Sequence, residues 1–247
     1  MFPIIDIGPI SLPSASFLLL LGIWLGSALM TKQAKSHQRP GEILERILWT
    51  GFIAGIVGAR LSFIARNPWA FQGQMFNVFS LNPALLDPVG GFLIGLAACY
   101  YLVTKHQLKL LKVLDDFTPF FATLIMAIYL ASFASGAGFG AITRLPWGIQ
   151  IWGAIRHPVQ LYYLVAGGAV LAYTVFASQQ EFHSSGQRFF AFLILTTGYL
   201  TVLSAFQDPA GQVILGFRGF QLACWTLFSI SIILLQFYFR DKNNEQA

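Results

Sequence analysis

The chain has 247 residues, of which 56% are hydrophobic and only 10% charged, with a mean hydropathy of +0.65. Soluble domains carry about 25% charged residues, so too little polar surface exists here to cover a water-soluble globule. A cytosolic enzyme, a nucleic-acid binder and a disordered chain are excluded together, and the net charge of +5 is read as membrane sidedness.

A hydrocarbon core about 30 Å thick takes about 20 apolar residues per helix. Seven such stretches are predicted, at roughly Leu12–Met30, Leu48–Ala65, Leu85–Val103, Phe117–Phe133, Pro158–Ala177, Phe189–Phe206 and Phe220–Phe239. They are continuously apolar rather than alternating, which excludes a β-barrel. The expected fold is an all-α integral membrane protein, a seven-transmembrane-helix bundle forming a single transmembrane domain over residues 1–247. No basic residue precedes the first span and no small-residue cleavage site follows it, so it is expected to stay rather than be removed as a signal peptide.

In chain order, Gly22/Gly26 in span one and Gly51/Gly55 in span two are small residues four apart, which lets helix backbones approach closely. Span two also holds Arg60, the one charge well inside a predicted span; it either marks a polar pocket or snorkels outward. Asp87 lies at the edge of span three, and Asp115 and Asp116 are expected to cap span four. The small-residue run Ser132–Ala141 suggests a broken or re-entrant backbone lining a cavity. In Arg144–Tyr163 (RLPWGIQIWGAIRHPVQLYY), Pro158 suits a first helical turn. That placement puts Arg156 and His157 at a helix N-terminus, where free N–H groups attract phosphate. Asp208 with Pro209 reads as a turn. His37, His106 and His183 fall in loops and are expected to be solvated, and Cys99 and Cys224 to be packing thiols without a disulfide or metal.

Basic residues set the sidedness. The loops after spans one, three and five and the tail hold ten: Lys32, Lys35, Arg39, Arg46, Lys105, Lys109, Lys112, Arg188, Arg240 and Lys242. The opposite side holds four, Arg66, Arg144, Arg156 and Arg218. The N-terminus is therefore expected outside and the C-terminus in the cytoplasm. Absences exclude other membrane functions. Span seven has no lysine for a retinal Schiff base, no HExxH helix for a metalloprotease is present, and the spans lack the several acids of an ion pump.

The ordered series IGPISL, GARL in span two, GGFLIG in span three, KVLDD before span four, LPWGI, RHPVQLY and FQL opening span seven resembles the bacterial prolipoprotein diacylglyceryl transferase family, across nearly the whole chain. The resemblance implies a multi-pass protein of the bacterial inner (plasma) membrane. It also implies transfer of diacylglycerol from phosphatidylglycerol to the lipobox cysteine of a preprolipoprotein, releasing glycerol 1-phosphate with no cofactor or metal. The implied partners are phosphatidylglycerol and a lipoprotein signal peptide, not nucleic acid.

Such a displacement wants a cation on the phosphate and help in removing the thiol proton. The family supplies these through an Arg in a GRxGN-type motif, a His or Tyr before the span-three GG, a Tyr near the start of span one and a late Arg. Counted back from LPWG, the first of these falls on Tyr129; the others fall on Val89 or Phe92, on Ala15, and in Tyr199–Asp208, which has no arginine. The acid that follows RHPxQLY falls on Tyr163. The groups left for substrate binding are Arg60, Arg156, Gln160 and Arg144, with Tyr129 at the family's phosphatidylglycerol-binding position, and His157 is the catalytic candidate. Two functions are therefore expected: a divergent transferase, or a catalytically silent homologue that binds phospholipid or a membrane partner.

Overall fold

The computed structural model describes residues 4–7, 10–36, 40–71, 82–151, 153–176, 185–208, 213–214 and 217–244. Among them, seven helices are long and apolar enough to cross a membrane. They are α1 (Ser14–Ser36), α2 (Gly41–Arg66), α3 (Pro88–Lys105), α4 (Leu110–Ser135), α5 (Val159–Phe176), α6 (Gln187–Leu203) and α7 (Gly219–Asn244). Three short antiparallel hairpins punctuate the connections: β1 (Ile4–Ile7) with β2 (Ile10–Pro13), β3 (Ile149–Ile151) with β4 (Ala154–Arg156), and β5 (Val213–Ile214) with β6 (Phe217–Arg218). His37, Arg39, His183 and Pro209 lie outside the described residues.

The chain divides into two compact units, Ala34–Val113, and Met1–Gln33 with Leu114–Ala247. In the smaller unit α2 and α3 meet through glycines. A Cβ on Gly95 would stand 2.9 Å from the Gly51 carbonyl oxygen, and one on Gly91 2.7 Å from that of Gly55. Lipid offers no hydrophobic force between helices, so close backbone contact supplies the attraction. The expected role of Gly51 and Gly55 is met here, with Gly91 and Gly95 as their counterparts. At one end of this pair Asp87 caps α3: its carboxylate accepts from the Val89 N–H at 3.1 Å and from the Ser62 hydroxyl at 2.5 Å, while its own N–H donates to the Ala59 carbonyl. Asp87 is thus a clasp at a helix end, not an acid within a span. The Ser62 bond, with the N–H groups of Gly90 and Val89 and the Arg66 guanidinium, holds its carboxyl below the usual carboxylate range despite desolvation. A depressed carboxylate stabilises the fold above its ordinary range and loses that contribution as pH falls through the lowered value.

In the larger unit the packing is aromatic. Ala122, Val170 and Phe192 form a buried nucleus drawn from α4, α5 and α6, with Phe121, Phe189 and Tyr199 packed against it. The Phe121 and Phe192 rings stack with centroids 6.4 Å apart. Gly26 of α1 admits Phe120 of α4, whose ring would be 3.0 Å from any added Cβ. Gln33 donates from Nε2 to the Thr174 carbonyl of α5 at 3.4 Å.

One acid is placed otherwise than its sequence position suggests. Helix α4 begins at Leu110, so Asp115 and Asp116 lie inside it and do not cap it. Asp115 instead reaches the start of α6, accepting from the Gly186 N–H at 2.5 Å and the Phe189 N–H at 2.9 Å. A carboxylate satisfies those first-turn donors and complements the helix dipole, and Gly186 at the N-cap offers no side chain to do so.

Two stability outcomes follow for detergent-solubilised protein. Gly95→Val should lower stability by about 1–3 kcal/mol through overpacking, whereas Gly168→Ala, with only Met126 Cε at 3.6 Å, should change it little. Asp115→Ala should cost about 1–3 kcal/mol by leaving the Gly186 and Phe189 N–H donors without their carboxylate acceptor, with Asp115→Asn milder; thermal unfolding monitored by circular dichroism checks both.

Candidate functional site

Helix α4 does not continue through the glycine-rich run. It stops at Ser135, and Gly136 (φ 78°) and Gly138 (φ 67°) turn the chain through left-handed backbone. Residues 139–143 then run extended between two neighbours. On one side lies β4, with Gly140 N–H to the His157 carbonyl at 3.0 Å, His157 N–H to the Ala141 carbonyl at 3.0 Å and Thr143 N–H to the Ile155 carbonyl at 2.9 Å. On the other lies the end of α6, through Ala141 N–H to the Phe206 carbonyl at 2.9 Å. Gly140 is required by proximity: a Cβ there would come within 2.6 Å of His157 and 2.5 Å of Val159.

Arg156 is not at a helix N-terminus. It belongs to β4, and α5 starts only at Val159. Its guanidinium pairs with the Asp208 carboxylate, donates to the Gly140 carbonyl at 3.4 Å and lies over the Phe139 ring at 4.7 Å. Asp208 is accordingly half of an ion pair; the turn expected of it with Pro209 lies partly outside the described residues. Arg144 of the same connection is exposed and carries no hydrogen bond or ion pair among the described residues.

His157 is half-buried, against Phe206 (centroids 5.3 Å apart) and Tyr162, whose hydroxyl lies 3.3 Å from Nδ1. Trp147 Nε1 donates to that same hydroxyl at 2.7 Å. Neither Tyr162 nor Trp147 is among the sequence candidates; their place in LPWG and RHPVQLY was the available signal. One turn on, Gln160 is 2% exposed and donates to the Ala137 carbonyl at 2.7 Å, while its Oε1 has no partner among the described residues.

Tyr129 stacks on Tyr163 with centroids 4.3 Å apart and ring planes 18° from parallel, and Tyr163 meets Tyr199 at 6.3 Å. Three helices thus join through tyrosines at the positions where the family resemblance puts an arginine, an acid and the start of an arginine-bearing segment. Arg60 belongs to the smaller unit. It donates to the Leu85 carbonyl at 3.0 Å, with its guanidinium 5.7 Å from the Phe71 ring centroid, and so binds the α2–α3 connection. Cys99 and Cys224 are both free thiols.

Comparison with known proteins gives these motifs a family. The family model for prolipoprotein diacylglyceryl transferase matches residues 3–238. Among curated relatives, the phosphatidylglycerol–prolipoprotein diacylglyceryl transferase of Finegoldia magna is 28% identical over 72% of each chain. That of Nitrosomonas europaea is 26% identical over 98% of this chain and 92% of its own. That of Clostridioides difficile is 30% identical over 59% of this chain and 58% of its own.

The Arg156–Asp208 pair predicts a coupled response. Arg156→Ala and Asp208→Ala should each lower stability by about 2 kcal/mol, and the double variant should cost clearly less than their sum. A thermal-denaturation double-mutant cycle measures that coupling.

Proposed function

Because the chain belongs to the prolipoprotein diacylglyceryl transferase family, we propose that it transfers a diacylglyceryl group from phosphatidylglycerol to the lipobox cysteine of a preprolipoprotein. The observation that carries this reading is the family match over residues 3–238 on a chain whose seven helices are long and apolar enough to span a membrane. The protein sits in the bacterial inner membrane with its N-terminus outside, in keeping with the ten-to-four bias of Lys and Arg between its two sides. The hairpins before α1, between α4 and α5 and between α6 and α7 each follow an even number of crossings, which puts them on the outer side with the headgroup chemistry. No cofactor takes part.

In the reaction the cysteine sulfur forms a bond to a glyceryl carbon while the bond from that carbon to the phosphate oxygen breaks. Glycerol 1-phosphate departs, and the proton lost by the thiol ends on it. Arg144, exposed beside the β3–β4 hairpin, meets the phosphate, since a positioned cation stabilises the charge that develops there. Arg156 adds to the same field but shares its charge with Asp208. Arg60 is a headgroup cation of the smaller unit. His157 is the catalytic side chain, and the open Oε1 of Gln160 accepts from a headgroup hydroxyl.

A second reading has its own support. Tyr129 and Tyr163 are stacked on each other at two positions where the family carries charge, so that part of the interior cannot pair with a phosphate. On this reading the chain is a silent homologue that binds phospholipid.

The test is complementation of a conditional diacylglyceryl transferase depletion strain, with membrane expression confirmed, alongside transfer from phosphatidylglycerol to a lipobox peptide in vitro. The transferase reading expects rescue and glycerol phosphate release, with His157→Gln lowering turnover on the order of 10²-fold. No transfer, with phosphatidylglycerol still raising the melting temperature above that in a zwitterionic lipid, selects the silent homologue.

A further inference from the structure

The contacts of one phenolic hydroxyl fix where the proton sits on His157. An indole nitrogen donates and cannot accept, so the Trp147 Nε1–H that reaches the Tyr162 oxygen at 2.7 Å makes that oxygen an acceptor. The Tyr162 hydroxyl has one hydrogen of its own, and its other neighbour within bonding range among the described residues is His157 Nδ1, at 3.3 Å. If Nδ1 carried the proton, the oxygen would receive two donors and its own hydrogen would have no acceptor among the described residues. If Nδ1 is bare, all three groups are satisfied in sequence: Trp147 donates to Tyr162, and Tyr162 donates to Nδ1. A neutral imidazole with an accepting Nδ1 carries its hydrogen on Nε2.

We infer that Trp147 and Tyr162 are positioning residues that hold neutral His157 as its Nε2–H tautomer, so that at the proposed site it presents a hydrogen-bond donor to a phosphate oxygen rather than a base to the thiol. The phosphate role rests on the transferase reading; the tautomer does not. Nε2 makes no hydrogen bond among the described residues, and the Phe206 ring against the imidazole fixes its plane without competing for the proton. A neutral donor aimed at oxygen stabilises developing negative charge without itself losing its proton. The thiol proton then passes to the departing glycerol phosphate, and the balance of the reaction is unchanged. The indole and the phenol act only through His157. Neither needs to touch substrate.

The experiment is nitrogen NMR on the full chain in nanodiscs with ¹⁵N-labelled histidine, at alkaline pH where imidazoles are neutral. His157 is assigned by the signals that His157→Gln removes from a chain of four histidines. The expected spectrum has a protonated Nε2 and an unprotonated Nδ1; a protonated Nδ1 or an even mixture overturns the inference. Tyr162→Phe should release the preference and give a mixture, and an unchanged tautomer in that variant also overturns it. Trp147→Phe keeps the hydroxyl and serves as the second variant if the first fails to fold; it should shift the population in the same direction by less. Adding phosphatidylglycerol should move the Nε2 signal and adding diacylglycerol, which lacks phosphate, should not; equal responses overturn the donor role. If the wild type performs no transfer, the function reading fails while the tautomer result stands. If it does transfer, Tyr162→Phe should lower kcat on the order of tenfold or more with KM little changed, and an unchanged kcat would overturn the positioning role.

Discussion

The pairing of Arg156 with Asp208 is the interaction on which the candidate site depends. The two side chains are 16% and 25% exposed, so each charge has lost much of its water and needs the other. Between them runs the extended segment 139–143, bonded on one edge to β4 and on the other to the end of α6. The ion pair therefore staples three pieces of chain that no single helix connects: the exit from α4, the entry to α5 and the exit from α6. His157 follows Arg156 directly, and its backbone bonds to Gly140 and Ala141 are part of the same layer. A guanidinium left alone in that position would impose a desolvation cost without a partner. The arrangement explains why Arg156 works as scaffold, whereas the neighbouring Arg144 is exposed and has no hydrogen bond or ion pair among the described residues.

The two units solve the problem of packing in lipid by different means. In the smaller one, glycine faces glycine and the backbones of α2 and α3 close on each other. In the larger one, phenylalanines and tyrosines from α4, α5 and α6 interlock around Ala122 and Val170. The tyrosine series Tyr129, Tyr163 and Tyr199 extends that aromatic packing across α4, α5 and α6.

Three of the acids illustrate how carboxylates are kept harmless at the edges of apolar spans. Asp87 caps α3, Asp115 caps α6 from within α4, and Asp208 neutralises Arg156. Each sits where backbone N–H groups or a guanidinium can take up its charge.

By itself, the sequence determined the number of the membrane-spanning helices and roughly where each lies, because hydropathy is a local sum over about 20 residues and needs no partner to be read. It also determined that Gly51 and Gly55 would let a neighbour approach, since spacing of four on a helix is a one-dimensional property, and the ordered motifs LPWGI and RHPVQLY carried the family. What it could not determine were the partners. Asp115 meets Gly186 across 71 positions and Arg156 meets Asp208 across 52. Tyr129 finds Tyr163 on a different helix. Asp115 was misjudged because a helix start was placed from hydropathy, and an acid at the edge of an apolar run serves its own helix or another's equally well. Arg156 was misjudged because Pro158 marks where a helix begins but not what precedes it. Which side chains meet depends on the rotation and depth at which helices pack, and packing fixes those only once the whole set of helices is assembled.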